Sequence, residues 1–181
     1  MTSITNEEKI RNNHEQYEIE SWEDQKLDLN NNVLRGIYSF GFEKPSSIQK
    51  KALYPMTKNI HNGRRRDITA QAQSGTGKTG AFVIGSLNIL KKDVKGPQVL
   101  ILAPTHELAD QTLNVVENLS RYIKDVNPTL LVGGTSVDKN KKILNTKHPK
   151  IVVGTPGRVN DLIRRKFLKT DSLSLLILDE A

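Results

Sequence analysis

The feature that most constrains this fold is a set of five short apolar runs separated by segments of helix length. Each run is rich in β-branched residues or leucine and is too short to be a globular helix, which is typical of strands buried in a parallel sheet. The runs are residues 67–72, 98–103, 129–134, 150–155 and 175–179. Because strands and helices alternate, the sequence predicts an α/β fold with a mostly parallel sheet and helices on both faces.

The segments between the runs carry helical patterns. Residues 105–124 repeat apolar side chains along one stripe, and Thr105 is a candidate N-cap for that helix. Residues 46–60 follow Pro45 and contain Pro55, which predicts a helix with a bend. In sheets of this kind, ligands bind where the carboxyl ends of strands meet the starts of helices, so these junctions are the first places to search for a site.

Composition excludes several classes of protein. The chain has 181 residues, 36% of them hydrophobic, which is enough for one domain with a core. It has no cysteine, so a disulfide scaffold is excluded. No apolar run approaches the ~20 residues that cross a bilayer, so we expect no membrane segment and a cytoplasmic protein, with a nuclear one as the alternative.

Charge is distributed unevenly along the chain. Residues 1–30 hold three basic and eight acidic side chains, a net charge of −5. Because the whole chain has a net charge of +7, the residues after 30 carry a net charge of +12. We predict a disordered acidic extension over residues 1–20 and a domain over residues 21–181. The basic body favours a polyanionic partner, although a merely solubilising surface has the same composition.

The junction with the most chemical information is AQSGTGKT, residues 72–79. Glycines at a turn that opens a helix let successive backbone N–H groups face an anion at the helix N-terminus. Lys78 can then pair with the β and γ phosphates of a nucleoside triphosphate, and the Thr79 hydroxyl can ligate Mg²⁺. The strict phosphate-loop pattern requires glycine where this chain has Ala72, and the alternative is a chance glycine-rich turn. The predicted nucleotide-binding residues here are Ala72, Gln73, Ser74, Gly75, Thr76, Gly77, Lys78 and Thr79.

Two acids follow the last apolar run. In a phosphate-loop fold a strand-end aspartate binds Mg²⁺ and an adjacent glutamate activates the attacking water. The sequence therefore predicts that Asp179 and Thr79 bind the metal and that Glu180 activates the attacking water. Together with Lys78, which pairs with the phosphates, Asp179 and Glu180 are the predicted catalytic residues. The alternative for Asp179 is a cap of the next turn.

Residues 41–49, GFEKPSSIQ, suggest which base is bound. A carboxamide both donates and accepts, so Gln49 can pair with the N6 amino group and N7 of adenine while Phe42 stacks on the base. The sequence thus predicts ATP with Mg²⁺ as the cofactors. The alternative is a loop with Phe42 buried in the core.

These motifs together resemble the DEAD-box family of ATP-dependent RNA helicases, and most closely its subgroup of eukaryotic initiation factor 4A. The matching motifs, in the order of the family, are GFEKPSSIQ, AQSGTGKT, PTHELA, GG, TPGR and DEA. The resemblance implies a RecA-like domain that hydrolyses ATP and unwinds RNA, acting as a monomer with scaffold or initiation-factor proteins as possible partners. It also implies contacts with the sugar-phosphate backbone of RNA from Pro104, Thr105, His106, Gly133, Gly134, Thr155, Pro156, Gly157 and Arg158.

Two departures from the family pattern matter. His106 stands where the family has arginine, which removes a fixed charge from an RNA-facing motif. The family also has a strand after the DEA motif and a second RecA-like domain, neither of which this sequence contains. The sequence therefore predicts a domain that is incomplete at its C-terminus, either part of a helicase or a fragment that binds nucleotide and RNA without turnover.

Overall fold

The computed structural model describes residues 18–58, 60–61, 64–65 and 67–180, and residue contacts divide the chain into two compact units, Met1–Asn88 and Ile89–Ala181. Most of the predicted acidic extension, residues 1–17, lies outside the described residues. Residues 18–20 belong to the packed part of the first unit, because Ile19 is fully buried and its N–H donates to the carbonyl oxygen of Lys50.

The first unit is mainly helical. It contains α1 (Asn31–Ser39), α2 (Ser47–Lys58), a short antiparallel hairpin of β1 (Ile60–His61) and β2 (Arg64–Arg65), and α3 (Lys78–Asn88). The predicted helix after Pro45 is confirmed as α2, with Pro55 in its interior. Helices α2 and α3 pack against each other over much of their length.

An aromatic anchor connects the start of the first unit to the loop before α2. Trp22 is buried, and its indole Nε1 donates to the carbonyl oxygen of Phe42 over 3.0 Å. A buried tryptophan contributes a large apolar area, and this one also satisfies its single polar atom. Trp22 therefore fixes the path of the backbone at Phe42.

The strand predicted for residues 67–72 is wrong. Residues 67–73 have no strand conformation, residues 67–71 are exposed, and Ile68 is 41% exposed. A strand needs a neighbour to pair its N–H and C=O groups, and no described strand pairs with this segment. The segment therefore runs as an irregular, solvated chain into the glycine-rich turn.

The second unit is a parallel α/β layer, so this part of the prediction is confirmed. Its four strands form one sheet in the order β4-β5-β3-β6, and all three pairings are parallel. The elements, in chain order, are β3 (Val99–Leu102), α4 (His106–Leu119), β4 (Thr129–Leu131), α5 (Val137–Lys147), β5 (Ile151–Gly154), α6 (Pro156–Arg164) and β6 (Leu175–Leu178).

The core of this unit lies on the central strands. Successive residues of β3 and β5 are buried, as expected for parallel strands covered on both faces. Side chains of α5 and α6 pack on one face, and the cluster comprises Leu100, Leu131, Leu144, Val152, Val159, Leu162 and Leu168. Helix α4 contacts β4 and β5.

Strand β6 is an edge of the sheet within the described residues. It pairs with β3 on one side, and two of its side chains, Leu176 and Leu178, are 56% and 59% exposed. None of the helices in the described ranges is long and apolar enough to cross a membrane.

We predict that Gly154→Ala destabilises the second unit. A Cβ atom at Gly154 would collide with the carbonyl oxygen of Leu131, which already accepts the N–H of Thr155, and would lie 2.8 Å from Cγ2 of Val159. Overpacking of a rigid core costs about 1–3 kcal/mol. Urea unfolding should show this loss for Gly154→Ala, whereas Gly157→Ala, in a helix and with no atom within 4 Å of its added Cβ, should be at least as stable as the parent. Equal stability of all three proteins would contradict the close packing at Gly154.

Candidate functional site

The predicted phosphate loop has the backbone geometry that an anion site needs. Gly75 and Gly77 adopt φ values of 78° and 94°, a left-handed conformation that residues with a Cβ rarely adopt. Helix α3 begins directly afterwards, at Lys78. The first N–H groups of a helix have no partner within the helix, and its dipole attracts negative charge. The loop therefore delivers the chain to a helix N-terminus suited to phosphate.

The Lys78 ammonium lies across this loop. Its Nζ donates to the carbonyl oxygens of Ala72, over 2.5 Å, and Gln73, over 3.1 Å. The Thr76 hydroxyl also donates to the Gln73 carbonyl oxygen, over 2.7 Å. An ammonium has three N–H donors, so two hold the loop and the third is available to a phosphate oxygen. Ser74 and Thr76 are exposed, and Thr79 is half-buried.

Gln49 connects the predicted base-recognition motif to the phosphate loop. Its side chain is buried, with 2% of the residue exposed. The side-chain Oε1 accepts the N–H of Ser46 over 2.8 Å, and Nε2 donates to the carbonyl oxygen of Gly77 over 3.2 Å. Both polar groups of the carboxamide that was predicted to read adenine thus have protein partners, and recognition of adenine by Gln49 stays a prediction.

The positioning role of Gln49 was missed in the sequence, although a signal for it exists. Ser46 and Gln49 have the spacing of a capping box, in which a glutamine at the third helical position bonds back to the N–H of the N-cap residue. Ser46 Oγ itself is buried without a hydrogen-bond partner in the described part of the chain. Phe42 and Gln49 both lie close to Gly80, since a Cβ added at Gly80 would be 2.9 Å from Cε2 of Phe42 and 2.8 Å from Nε2 of Gln49.

The residues expected to contact RNA lie at one edge of the sheet in the second unit. Three of them follow β3, two follow β4 and four follow β5, and these strands are parallel neighbours, so their carboxyl ends meet at that edge. Thr105 caps α4 by accepting the N–H of Leu108 over 3.2 Å. Thr155 precedes α6 but makes no side-chain cap, and Pro156 occupies the first turn of α6, where proline is favoured.

Most of this edge is open to solvent. His106, Gly133, Gly134, Pro156 and Gly157 are exposed, whereas Thr155 and Arg158 are half-buried. Gly134 has a φ of 83°, a turn conformation that favours glycine. Arg158 is held by Thr135 and Asn140, two residues that the sequence motifs did not single out.

Asp179 and Glu180 follow β6 at the same edge. The N–H of Asp179 donates to the carbonyl oxygen of Leu102 over 2.9 Å, which continues the pairing with β3, and Glu180 is exposed with a φ of 53°. The carboxylate of Asp179 is a hard oxygen donor, which suits Mg²⁺. The described residues contain no cluster of three histidine, cysteine or acidic side chains, so Mg²⁺ here would depend on phosphate and water ligands as well.

Comparison with known proteins identifies the family. Residues 46–181 match the family described as DEAD/DEAH box helicase. The chain belongs to the DEAD/DEAH box helicase family. Among curated helicases, the ATP-dependent RNA helicase eIF4A of Aspergillus fumigatus is 48% identical over 155 residues, and that of Pyricularia oryzae is 44% identical over 175 residues. The alignments cover 86% and 97% of this chain but only 36% and 41% of those relatives.

Solved structures of DEAD-box helicases share this RecA-like fold. S. cerevisiae Dbp5 bound to RNA and ADP BeF3 is 41% identical, with a TM-score of 0.75 over 86% of this chain and 37% of the Dbp5 chain. A DEAD box protein from Methanococcus jannaschii is 35% identical, with a TM-score of 0.78 over 89% of this chain and 41% of that chain. This chain therefore spans well under half of the length of these helicases.

We predict that Gln49→Glu destabilises the first unit near neutral pH. The new carboxylate could still accept the Ser46 N–H, but it would place a second acceptor against the Gly77 carbonyl oxygen, at a cost of about 2 kcal/mol. Protonation restores a donor, so the deficit in thermal stability should shrink as the pH falls towards about 4.3, the usual pKa of glutamate. Gln111→Glu, at an exposed position of α4, is the control and should melt like the parent. A Gln49→Glu melt equal to the parent at neutral pH would contradict the contact with Gly77.

Proposed function

We propose that this chain is the N-terminal ATP-binding part of an ATP-dependent RNA helicase. The observation that carries the proposal is the phosphate loop of a DEAD/DEAH box family member, with left-handed glycines leading into a helix that begins at Lys78. ATP is the proposed nucleotide because the relatives are named ATP-dependent and Dbp5 is bound to ADP BeF3.

In this proposal each nucleotide-site residue has a separate task. Lys78 pairs with the β and γ phosphates, which extends its present role as a clamp on the loop carbonyls. Thr79 and Asp179 hold Mg²⁺, which when bound neutralises charge on the phosphates. Glu180 orients the attacking water and accepts its proton. Gln49 and Phe42 contact adenine, for which the Gln49 carboxamide has one N–H donor and one acceptor lone pair besides those bonded to Gly77 and Ser46.

We further propose that the open edge of the sheet in the second unit binds the backbone of single-stranded RNA. Hydroxyls, exposed glycine N–H groups and an arginine lie there in the loops and helix starts that follow three adjacent strands, and such groups contact phosphate without reading base sequence. The excess of positive charge after residue 30 favours the same partner. Binding is therefore expected to be sensitive to salt and insensitive to sequence.

For the whole protein we propose RNA-stimulated ATP hydrolysis coupled to unwinding of short duplexes, in the translation initiation for which its eIF4A relatives are named. This role favours the cytoplasm over the nucleus as the location of the protein. We also propose that the protein acts as a monomer and that its protein partners are scaffold proteins or initiation factors. The second candidate is a module that binds nucleotide and RNA without turnover.

Nucleotide binding is tested by thermal unfolding with Mg²⁺ and either ADP or GDP. A ligand at about 100 times its dissociation constant stabilises by roughly 2.7 kcal/mol, which raises the melting temperature by a few degrees. We expect ADP, but not GDP, to raise the melting temperature of the parent chain, and Lys78→Ala to abolish that shift because the main phosphate cation is lost.

The control for this test is Lys124→Ala, which removes an exposed lysine of the second unit and should leave the ADP shift intact. An unchanged ADP shift in Lys78→Ala would reject the phosphate-loop assignment. Equal shifts with ADP and GDP would reject adenine recognition by Phe42 and Gln49 while leaving the phosphate site standing.

RNA binding is tested by restoring a cation at residue 106. His106 is exposed at the first position of α4, at the proposed RNA edge, so His106→Arg adds a fixed charge and a five-donor fork there. We expect the affinity for oligouridylate to rise by about threefold or more, with a salt dependence steeper by about 0.7 in log–log slope. Gln111→Arg, elsewhere on α4, is the matched control. Equal gains for both variants would mean that net charge alone acts.

A further inference from the structure

Arg158 is the arginine of the proposed RNA edge, and one of its nitrogens is fully occupied. Its Nη1 donates to Oδ1 of Asn140 over 2.5 Å and to Oγ1 of Thr135 over 3.2 Å. A guanidinium Nη carries two hydrogens, so both donors of Nη1 are used. Nη2 and Nε make no hydrogen bond with any residue in the described ranges. These two nitrogens form the edge of a guanidinium that binds a phosphate in a bidentate manner.

The group that holds Arg158 is rigid. Asn140 is 1% exposed, and it lies in the first turn of α5, where its N–H donates to the carbonyl oxygen of Ser136 over 3.2 Å. The Thr135 hydroxyl lies 3.0 Å from the carbonyl oxygen of Val132, to which it can donate. The contacts of Arg158 therefore connect the start of α6 to the turn that follows β4, which contains Gly133 and Gly134.

The same group is also neutral. Arg158 belongs to none of the ion pairs between described residues, whereas Arg165 on the same segment pairs with Asp161 over 2.7 Å. A carboxylate at position 140 would hold the guanidinium equally well but would offset its positive charge. An amide oxygen orients Arg158 and leaves the full charge available to a phosphate.

We propose that Asn140 is a positioning residue for RNA binding, a buried neutral acceptor that orients the Nε and Nη2 edge of Arg158 towards a backbone phosphate. This inference rests on the proposed contact between Arg158 and RNA. It assigns a task to a side chain outside the recognised motifs. In this arrangement the guanidinium of Arg158 connects the turn after β4 with the start of α6, which follows β5.

The test is a double-mutant cycle on the 181-residue chain. Binding of fluorescein-labelled oligouridylate is measured by anisotropy between about 50 and 200 mM salt. We expect Arg158→Ala to weaken binding about tenfold and to lower the salt slope by about 0.7, as for the loss of one phosphate contact on a single strand. Asn140→Ala should weaken binding at least threefold, and the double variant should bind like Arg158→Ala alone.

The variant Asn140→Asp separates orientation from charge. It keeps the acceptor and the shape of the side chain, so we expect a melting temperature at or above that of the parent. The paired carboxylate should nevertheless lower the salt slope towards that of Arg158→Ala. Asn145→Ala, at an exposed position of α5, is the matched control and should bind RNA like the parent.

The outcomes distinguish the inference from the function on which it rests. Parental affinity in Arg158→Ala would overturn the proposed RNA contact itself. A loss in Arg158→Ala, combined with additive losses in the double variant, would show that Asn140 acts through general stability and would overturn the positioning role. A parental salt slope in Asn140→Asp would overturn the argument from charge.

Discussion

The hydrogen bonding of β3 between two parallel neighbours is the constraint on which the second unit depends. Val99 of β3 is in register with Ile151 of β5 on one side and with Leu175 of β6 on the other. Parallel strands must end at the same edge of a sheet, so this pairing brings the loops after β3, β5 and β6 together without any further interaction. The DEAD-box residues of this unit are neighbours because their strands are neighbours.

The first unit positions its site by a different device. No strand leads into the phosphate loop in the described structure, and the loop is instead held by side chains that bond to its carbonyl oxygens: Lys78 to Ala72 and Gln73, and Gln49 to Gly77. Gln49 is fixed in turn by the N–H of Ser46. A phosphate that binds the third N–H of Lys78 would contact the same ammonium that holds the loop, which connects nucleotide binding to the conformation of the loop.

The proposed nucleotide site and the proposed RNA site both orient a cation with neutral acceptors. Lys78 places its ammonium on backbone carbonyls, and Arg158 places one nitrogen on an amide and a hydroxyl. Neither cation has a carboxylate partner among the described ion pairs. Neutral acceptors orient a cation without offsetting its charge, which suits sites that must receive the phosphates of a nucleotide or of RNA.

The sequence by itself determined four of the five strands, the helices that follow them and the order of the motifs, because period and capping are local properties of the chain. It misassigned residues 67–72, since an apolar run becomes a strand only where a neighbour pairs with it. It also named Gln49 and Arg158 as motif residues, whose roles stay predictions, but it missed their partners Ser46, Thr135 and Asn140, although the capping-box spacing of Ser46 and Gln49 is a local signal. Only the tertiary structure decided the contacts of Arg158 with Thr135 and Asn140, because a hydrogen bond between separate turns depends on where packing places each backbone, and no local pattern encodes that placement.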